Sequence, residues 1–424
     1  MDELELKNRI DAAMEKLSDE LTDFAVRFFS IPTQNPPGYN YDKVTQCAGE
    51  EMKKAGMEIT YLKVPDERLE ELAPQSEGHP RINVIGTKEG QMHRPLLHIT
   101  GHYDVVPEGT GWTHDPYACD IEDGKIYARG SADQKSGIVS EIFAARILKE
   151  ACIELKGTLL TSATADEETG GFAGVGYMVE QGYFTKESTD YAVITECLDV
   201  DKVCLGHRGT MWFEIEITGK QAHGSMPSEG VSPIEFANRL MDRIDSDIQP
   251  LLKDITPLPV QPPACRKSTL TVTMLRAGEK LNTIPQTCTM GFDWRLNPEL
   301  SVKWAEEQFV KVCEAVKSEM PGSDYKINMH MATDPTLVPN NTDVVKAFLA
   351  SGKMFLGRDM EFSISPGEED QKFIIKNGHL DQCIVYGPGR LTLAHKSDEY
   401  AVIEEMKTAA KVMALSACKL LGTL

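Results

Sequence analysis

The segment GHYDVVP sets His102 and Asp104 two residues apart. At the end of a strand, residues at this spacing project to the same side. An imidazole that binds a metal usually gives its second N–H to a carboxylate, so His102 suits a ligand and Asp104 its orienter. On its own, such a pair is more often structural. ARGSADQKSG puts Asp133 in a Gly/Ser-rich turn before a helical pattern, where the plain reading is a helix N-cap. ADEETGG offers Glu167 and Glu168 side by side. They are either a solvated loop, or a metal ligand beside a general base that acts on activated water. Glu196 closes the apolar run YAVIT, where a carboxylate without a partner is costly. AHKSDE supplies His395. Taken singly, each of these residues has an ordinary structural reading; the chemistry that they could share is metal-assisted hydrolysis. A donor set of oxygen and nitrogen without thiolate suits Zn²⁺, and also Co²⁺ or Mn²⁺.

The elements that must carry these side chains are visible as apolar runs of strand length. PLLHITG runs into His102, GTLLTSATA into Asp166, Glu167 and Glu168, YAVIT into Glu196, and QCIVYGPG leads towards His395. Helical patterns such as QKSGIVSEIFAARILKEA lie between them. Strands alternating with helices predict an α/β sheet with its site at the strand C-terminal ends. Ile10, Met14, Leu17, Leu21, Phe24 and Phe28 predict an opening amphipathic helix over 8–30, followed by the loop IPTQNPPGYN. From residue 209 the pattern changes. TMWFEIEITGK, STLTVTMLRAG, TCTMGFDWRL and DYKINMHM read as strands, and PIEFANRLMDRI and SVKWAEEQFVKVCEAVKSEM as helices. The order β-α-β-β-α-β is ferredoxin-like. Residues 209–331 are therefore expected as a domain inserted between two parts of a catalytic domain, 1–208 and 332–424.

A chain of 424 residues exceeds one ordinary core and agrees with two domains. The net charge of −21 repels phosphate backbones and anionic lipid, so nucleic-acid and membrane partners are not expected. The opening residues MDELELKNRI carry no apolar core for a signal peptide, and no run approaches membrane-span length. Scattered cysteines without a C-x-x-C pair point to reduced thiols and a cytoplasmic location.

Together, GHYDVVP, WTHDPY with IYARGSADQKSG, TADEETGG, TEC, GKQAHGSMP, LNTIP, DWR and YGPGRLTLAHKSDE resemble the dizinc aminoacylase and carboxypeptidase family of metallopeptidases, that of acetylornithine deacetylase and succinyl-diaminopimelate desuccinylase. The resemblance spans nearly the whole chain. It implies a mixed-sheet catalytic domain with helices on both faces and an inserted lid or dimerisation domain. It implies two divalent metals, zinc foremost, with His102 and Glu196 on one, Glu168 and His395 on the other, and Asp133 bridging both through a cis peptide after it. It further implies that Glu167 is the general base, Asp104 orients His102, and a metal-bridging hydroxide attacks the amide of a small N-acylated amino acid. His223 matches a histidine that serves the partner's site in dimeric members, so a homodimer is expected. Arg208, Asn282 and Arg295 match positions that grip a substrate carboxylate. SPGEEDQKF departs from the family pattern, with Glu368 and Glu369 where Thr and Ser are common and Lys372 where Arg is common. Glu368 is thereby expected at the substrate, and the acidic loop is expected to disfavour a dicarboxylic acyl group such as succinyl. A metallocarboxypeptidase or dipeptidase on the same site is the second reading, and a metal-free binding protein that kept the fold the third.

Overall fold

The computed structural model describes residues 2–424. The chain divides into two compact units, one running to Leu205 and resuming over Val338–Ser363 and Glu369–Leu424, the other comprising Gly206–Leu337 and Ile364–Glu368.

The first unit is built on a mixed sheet. Its strands lie in the order Glu58–Lys63, Ile82–Lys88, Thr158–Thr164, Leu96–His102, Tyr191–Ile194, Cys383–Val385 and Lys202–His207. The four central strands, Thr158–Thr164, Leu96–His102, Tyr191–Ile194 and Cys383–Val385, run parallel, and their neighbours on either side are antiparallel. Leu96–His102 and Thr158–Thr164 are buried at every residue. This is the expected state of parallel strands covered on both faces, and it explains why their sequences read as continuous apolar runs. One face carries the mutually packed helices Glu3–Phe29, Ser136–Glu150 and Ile403–Leu421, with Asp343–Leu356 against the last of them. The other face holds Val175, Met178, Phe184 and Ile374. Ser136–Glu150 is buried from Ser136 to Leu148, so it is enclosed around its circumference and shows little amphipathicity. The opening helix starts earlier than its apolar spacing predicts. Asp2 caps it by accepting the Glu5 N–H at 2.8 Å, and acidic residues in the first turn suit the helix dipole.

The second unit is a four-stranded antiparallel sheet in the order Thr269–Ala277, Thr287–Leu296, Gly209–Thr218 and Asp324–Thr333. Helices Pro233–Arg243 and Val302–Glu319 cover one face. Chain order and pairing together give the ferredoxin-like arrangement. Its core stacks Phe213 on Phe292 at 5.0 Å, with Phe309 edge-on to both at 4.7 and 5.0 Å. Among the described residues, no helix is long and apolar enough to cross a membrane.

Phe309 is 2% exposed and joins the helix Val302–Glu319 to the sheet. Phe309→Ala leaves an aromatic-sized void and is expected to lower stability by about 3–5 kcal/mol. Urea unfolding followed by Trp fluorescence measures this, and a shift below about 1 kcal/mol would contradict the packing described.

Candidate metal centre

The parallel strands deliver the site. Leu96–His102 ends at His102, Thr158–Thr164 leads into the Asp166–Glu168 turn, and Tyr191–Ile194 leads to Glu196 two residues on. Cys383–Val385 precedes the loop that holds His395. Carboxyl ends of adjacent parallel strands open onto a common crevice, so residues far apart in sequence meet there. Asp133 enters from the loop before Ser136–Glu150, and its peptide bond to Gln134 is cis. The Gln134 side chain donates to the His102 carbonyl at 2.9 Å and accepts from Thr195 at 2.8 Å. Gly101 makes room for this contact, since a Cβ there would sit 2.2 Å from both Gln134 Nε2 and Thr195 Oγ1.

Asp133 stands between two groups. Its Oδ1 is 3.5 Å from His102 Nε2, which is itself 3.5 Å from Glu196 Oε1. Its Oδ2 is 3.4 Å from His395 Nε2, which is 3.1 Å from Glu168 Oε2. Within each group the candidate donor atoms lie within 4.8 Å of one another. Tetrahedral ligands at the usual Zn–N and Zn–O lengths stand ~3.3 Å apart, so the spacing fits an ion in each group. Three protein donors per group also leave a position open, as in catalytic sites. Glu167 Oε2 lies 4.0 Å from His102 Nε2, on the rim of the first group.

The supporting contacts refine the sequence reading. His102 Nδ1 is nearest the main-chain carbonyl of Asp104, at 3.0 Å, with the Asp104 carboxylate at 3.4 Å. That carboxylate accepts the Glu167 and Glu168 N–H groups at 3.1 and 3.2 Å. Glu399, the last residue of the segment AHKSDE, was not singled out by sequence reasoning. It is buried, paired with Arg129 at 2.6 Å, and accepts the N–H groups of Gly130, Ala132 and Asp133. Asp166 is likewise buried, against Arg81. No local pattern signals either pair, because Arg129 and Glu399 are 270 residues apart.

The remaining expected residues belong to the second unit. His223 and Asn282 are exposed neighbours in the second unit, where His223 pairs with Thr283 and the Gly224 N–H donates to the Asn282 carbonyl. Arg208 is buried, and its guanidinium donates to the Lys267 and Arg295 carbonyls. Arg295 grips Asp293 at 2.8 and 3.1 Å and lies over the Trp212 ring. The sequence treated the SPGEEDQKF carboxylates alike, whereas the structure separates them. Glu369 and Asp370 are buried in the first unit, and Glu369 accepts the Gln371 N–H. Glu368 is half-buried and belongs to the second.

A model of peptidase family M20/M25/M40 matches residues 98–419, the span from His98, just before the first candidate ligand, into the final helix. The chain belongs to this family. It is 30% identical over 339 residues to an uncharacterized metallohydrolase of Methanocaldococcus jannaschii, covering 74% of this chain and 79% of that one. It is 27% identical to an acetylornithine deacetylase of Myxococcus xanthus, over 81% of this chain and 86% of that relative. A tripeptidase structure from Staphylococcus aureus shares the fold with a TM-score of 0.75 at 21% identity, covering 95% of this chain and 98% of that one.

In this M20/M25/M40 family metallohydrolase, the electrostatics of the cluster favour cations. Burial, then the Glu196, Asp370 and Glu168 charges, push the Glu167 carboxyl well above its usual range, with His102 pulling the other way. Burial acts against the charged form of His102, but Glu196, Asp104, Asp133 and Glu167 outweigh it and raise its pKa well above normal. A hydrogen bond to Glu168 is the largest influence on His395 and raises it to about 9. Burial, then the Asp133 and Glu196 charges, push the Cys197 thiol well above its usual range. An imidazolium cannot coordinate, so a metal must displace the His395 proton at neutral pH. Zn²⁺ affinity is therefore expected to rise with pH by up to about tenfold per unit for each proton displaced. Competition with a chelator from pH 6.5 to 9.5 measures it, and a flat profile would contradict this account of the cluster.

Proposed function

We propose that this metallohydrolase cleaves the amide bond of a small N-acylated amino acid, with Glu167 as general base. The observation that carries the reading is the Asp133 carboxylate, with one oxygen towards His102 and Glu196 and the other towards Glu168 and His395. Two divalent cations, zinc foremost with cobalt or manganese as alternatives, would be held by these two groups and would supply Lewis-acid polarisation and acidified water. The rest falls to the chain's own groups. Glu167, on the rim of the first group, takes the proton of the attacking water and returns it to the leaving amine. Asp104 accepts its N–H, so the carboxylate is presented from a fixed turn. The His102 ring is oriented by the Asp104 carbonyl.

The reading includes a homodimer formed through the second unit. Its strand Thr269–Ala277 is a sheet edge with Leu275 53% exposed, a surface suited to isologous pairing. His223 would then act in the partner's site.

Glu167→Gln is expected to keep both metal equivalents and to lose about 10²–10⁴-fold in kcat. Amine release from N-acetyl, N-formyl, N-succinyl and dipeptide substrates, with metal content by mass spectrometry, tests both parts. Near-normal turnover by the variant would sink the role of Glu167. Turnover confined to dipeptides would replace the deacylase with a peptidase.

A further inference from the structure

Asn35, in the loop after the first helix, has no task in the chemistry above, yet its side chain joins the two buried carboxylates nearest the Glu167 turn. It is 1% exposed. Its amide nitrogen donates to Asp104 Oδ2 at 2.9 Å and to Asp166 Oδ1 at 3.0 Å, with Thr169 Oγ1 also at 2.9 Å. Its amide oxygen accepts from Arg81 Nη2 at 3.4 Å. Asp104 and Asp166 are 0% and 1% exposed, and two like charges this deep repel strongly unless a donor lies between them. An amide nitrogen carries two hydrogens, here shared among the two carboxylates and the Thr169 hydroxyl.

Each of the two carboxylates anchors the same turn. Asp104 accepts the Glu167 and Glu168 N–H groups. Asp166 opens the turn in the left-handed region, at φ 63°, and is held by Arg81 at 2.6 Å and by the Tyr41 hydroxyl at 2.8 Å. Asn35 bonds both anchors. Its own place is set by main-chain bonds, since its N–H donates to the Val105 carbonyl at 2.9 Å and Val105 donates to Thr33. Replacing the side chain therefore leaves the loop docked.

We propose that Asn35 is a positioning residue for the hydrolytic step, its amide tying Asp104 to Asp166 and so fixing the turn that presents Glu167 and Glu168. The link to turnover rests on Glu167 being the general base; the positioning itself does not.

The test compares wild type, Asn35→Ser and Asn35→Asp, each loaded with Zn²⁺. Hydrogen exchange of the segment 165–171 reads the turn without any assay of activity. In Asn35→Ser, amides in this segment are expected to exchange about tenfold faster, as for the loss of one buried hydrogen bond, while Leu96–His102 keeps its protection. Metal content should stay at the wild-type value. kcat should fall by about 10- to 100-fold with KM within about twofold, because misplacing a reacting group by a fraction of an ångström is felt in the transition state. Asn35→Asp puts a third carboxylate between two others and should be the more impaired. Unchanged exchange in 165–171 would overturn the positioning, and faster exchange with unchanged kcat would overturn its link to turnover. A uniform rise in exchange across the unit, with metal lost, would mean a structural residue only. If Asn35→Ser does not fold, Tyr41→Phe removes one bond to the same Asp166 oxygen and should show the same local pattern more weakly; no local change there counts against the proposal. Should Glu167→Gln turn over normally, the general-base reading fails, and the exchange arm still decides the role of Asn35.

Discussion

The crowding of carboxylates at the ends of the central strands is the constraint on which the rest of the structure depends. Asp104, Asp133, Glu167, Glu168 and Glu196 lie in one buried or half-buried cluster. In a medium of reduced dielectric their mutual repulsion is large, and folding tolerates it only where each has an assigned partner. The assignments differ. Asp104 is satisfied by N–H groups and by Asn35, Glu168 by His395, and Asp133 by two imidazoles at once. What stays uncompensated is negative charge, the electrostatic form of a cation site.

That cluster explains features of the fold that core packing alone does not require. The buried pairs Arg81–Asp166 and Arg129–Glu399 bring cationic groups to the two loops that carry the acidic side chains. Such pairs add little net stability, because desolvation offsets attraction, but losing one partner leaves a buried charge exposed to no solvent. Their value is geometric. Glu399 receives the N–H groups of Gly130, Ala132 and Asp133 and so sets the path of the chain through Asp133. It stands just before the final helix, so the first and last parts of the first unit are locked together at the site.

The second unit commits its polar groups in another way. Arg208 and Arg295 read in sequence as carboxylate clamps, yet their guanidinia bond main-chain carbonyls and Asp293. A bidentate pair such as Arg295–Asp293 must be broken or shared before it can hold a ligand. His223, in contrast, is exposed on a short two-stranded ladder with its ring against Ser225 at 2.8 Å, and the exposed Asn282 directly precedes the partner strand.

Much of this was legible in the chain. Period-two alternation exposed the strands of the second unit, continuous apolar runs exposed the parallel strands of the first, and the strand-end positions of His102, Glu167, Glu168 and Glu196 followed from where those runs stop. These are local properties, since side-chain direction and burial repeat with the period of the backbone. Tertiary structure alone decided the rest. The residues around Asp133 read locally as a helix cap, and only the resemblance pointed to a bridging ligand; the fold brings His395 to its second oxygen. Asn35, Arg81 and Glu399 carry no local signal, because their partners lie tens to hundreds of residues away. Whether Glu369 and Asp370 faced solvent or core depended on packing that no spacing encodes. A sequence fixes the period and the donor types of each segment, but which donors share one charge is settled only when distant segments meet at a few ångströms, where Coulomb energy varies steeply with distance.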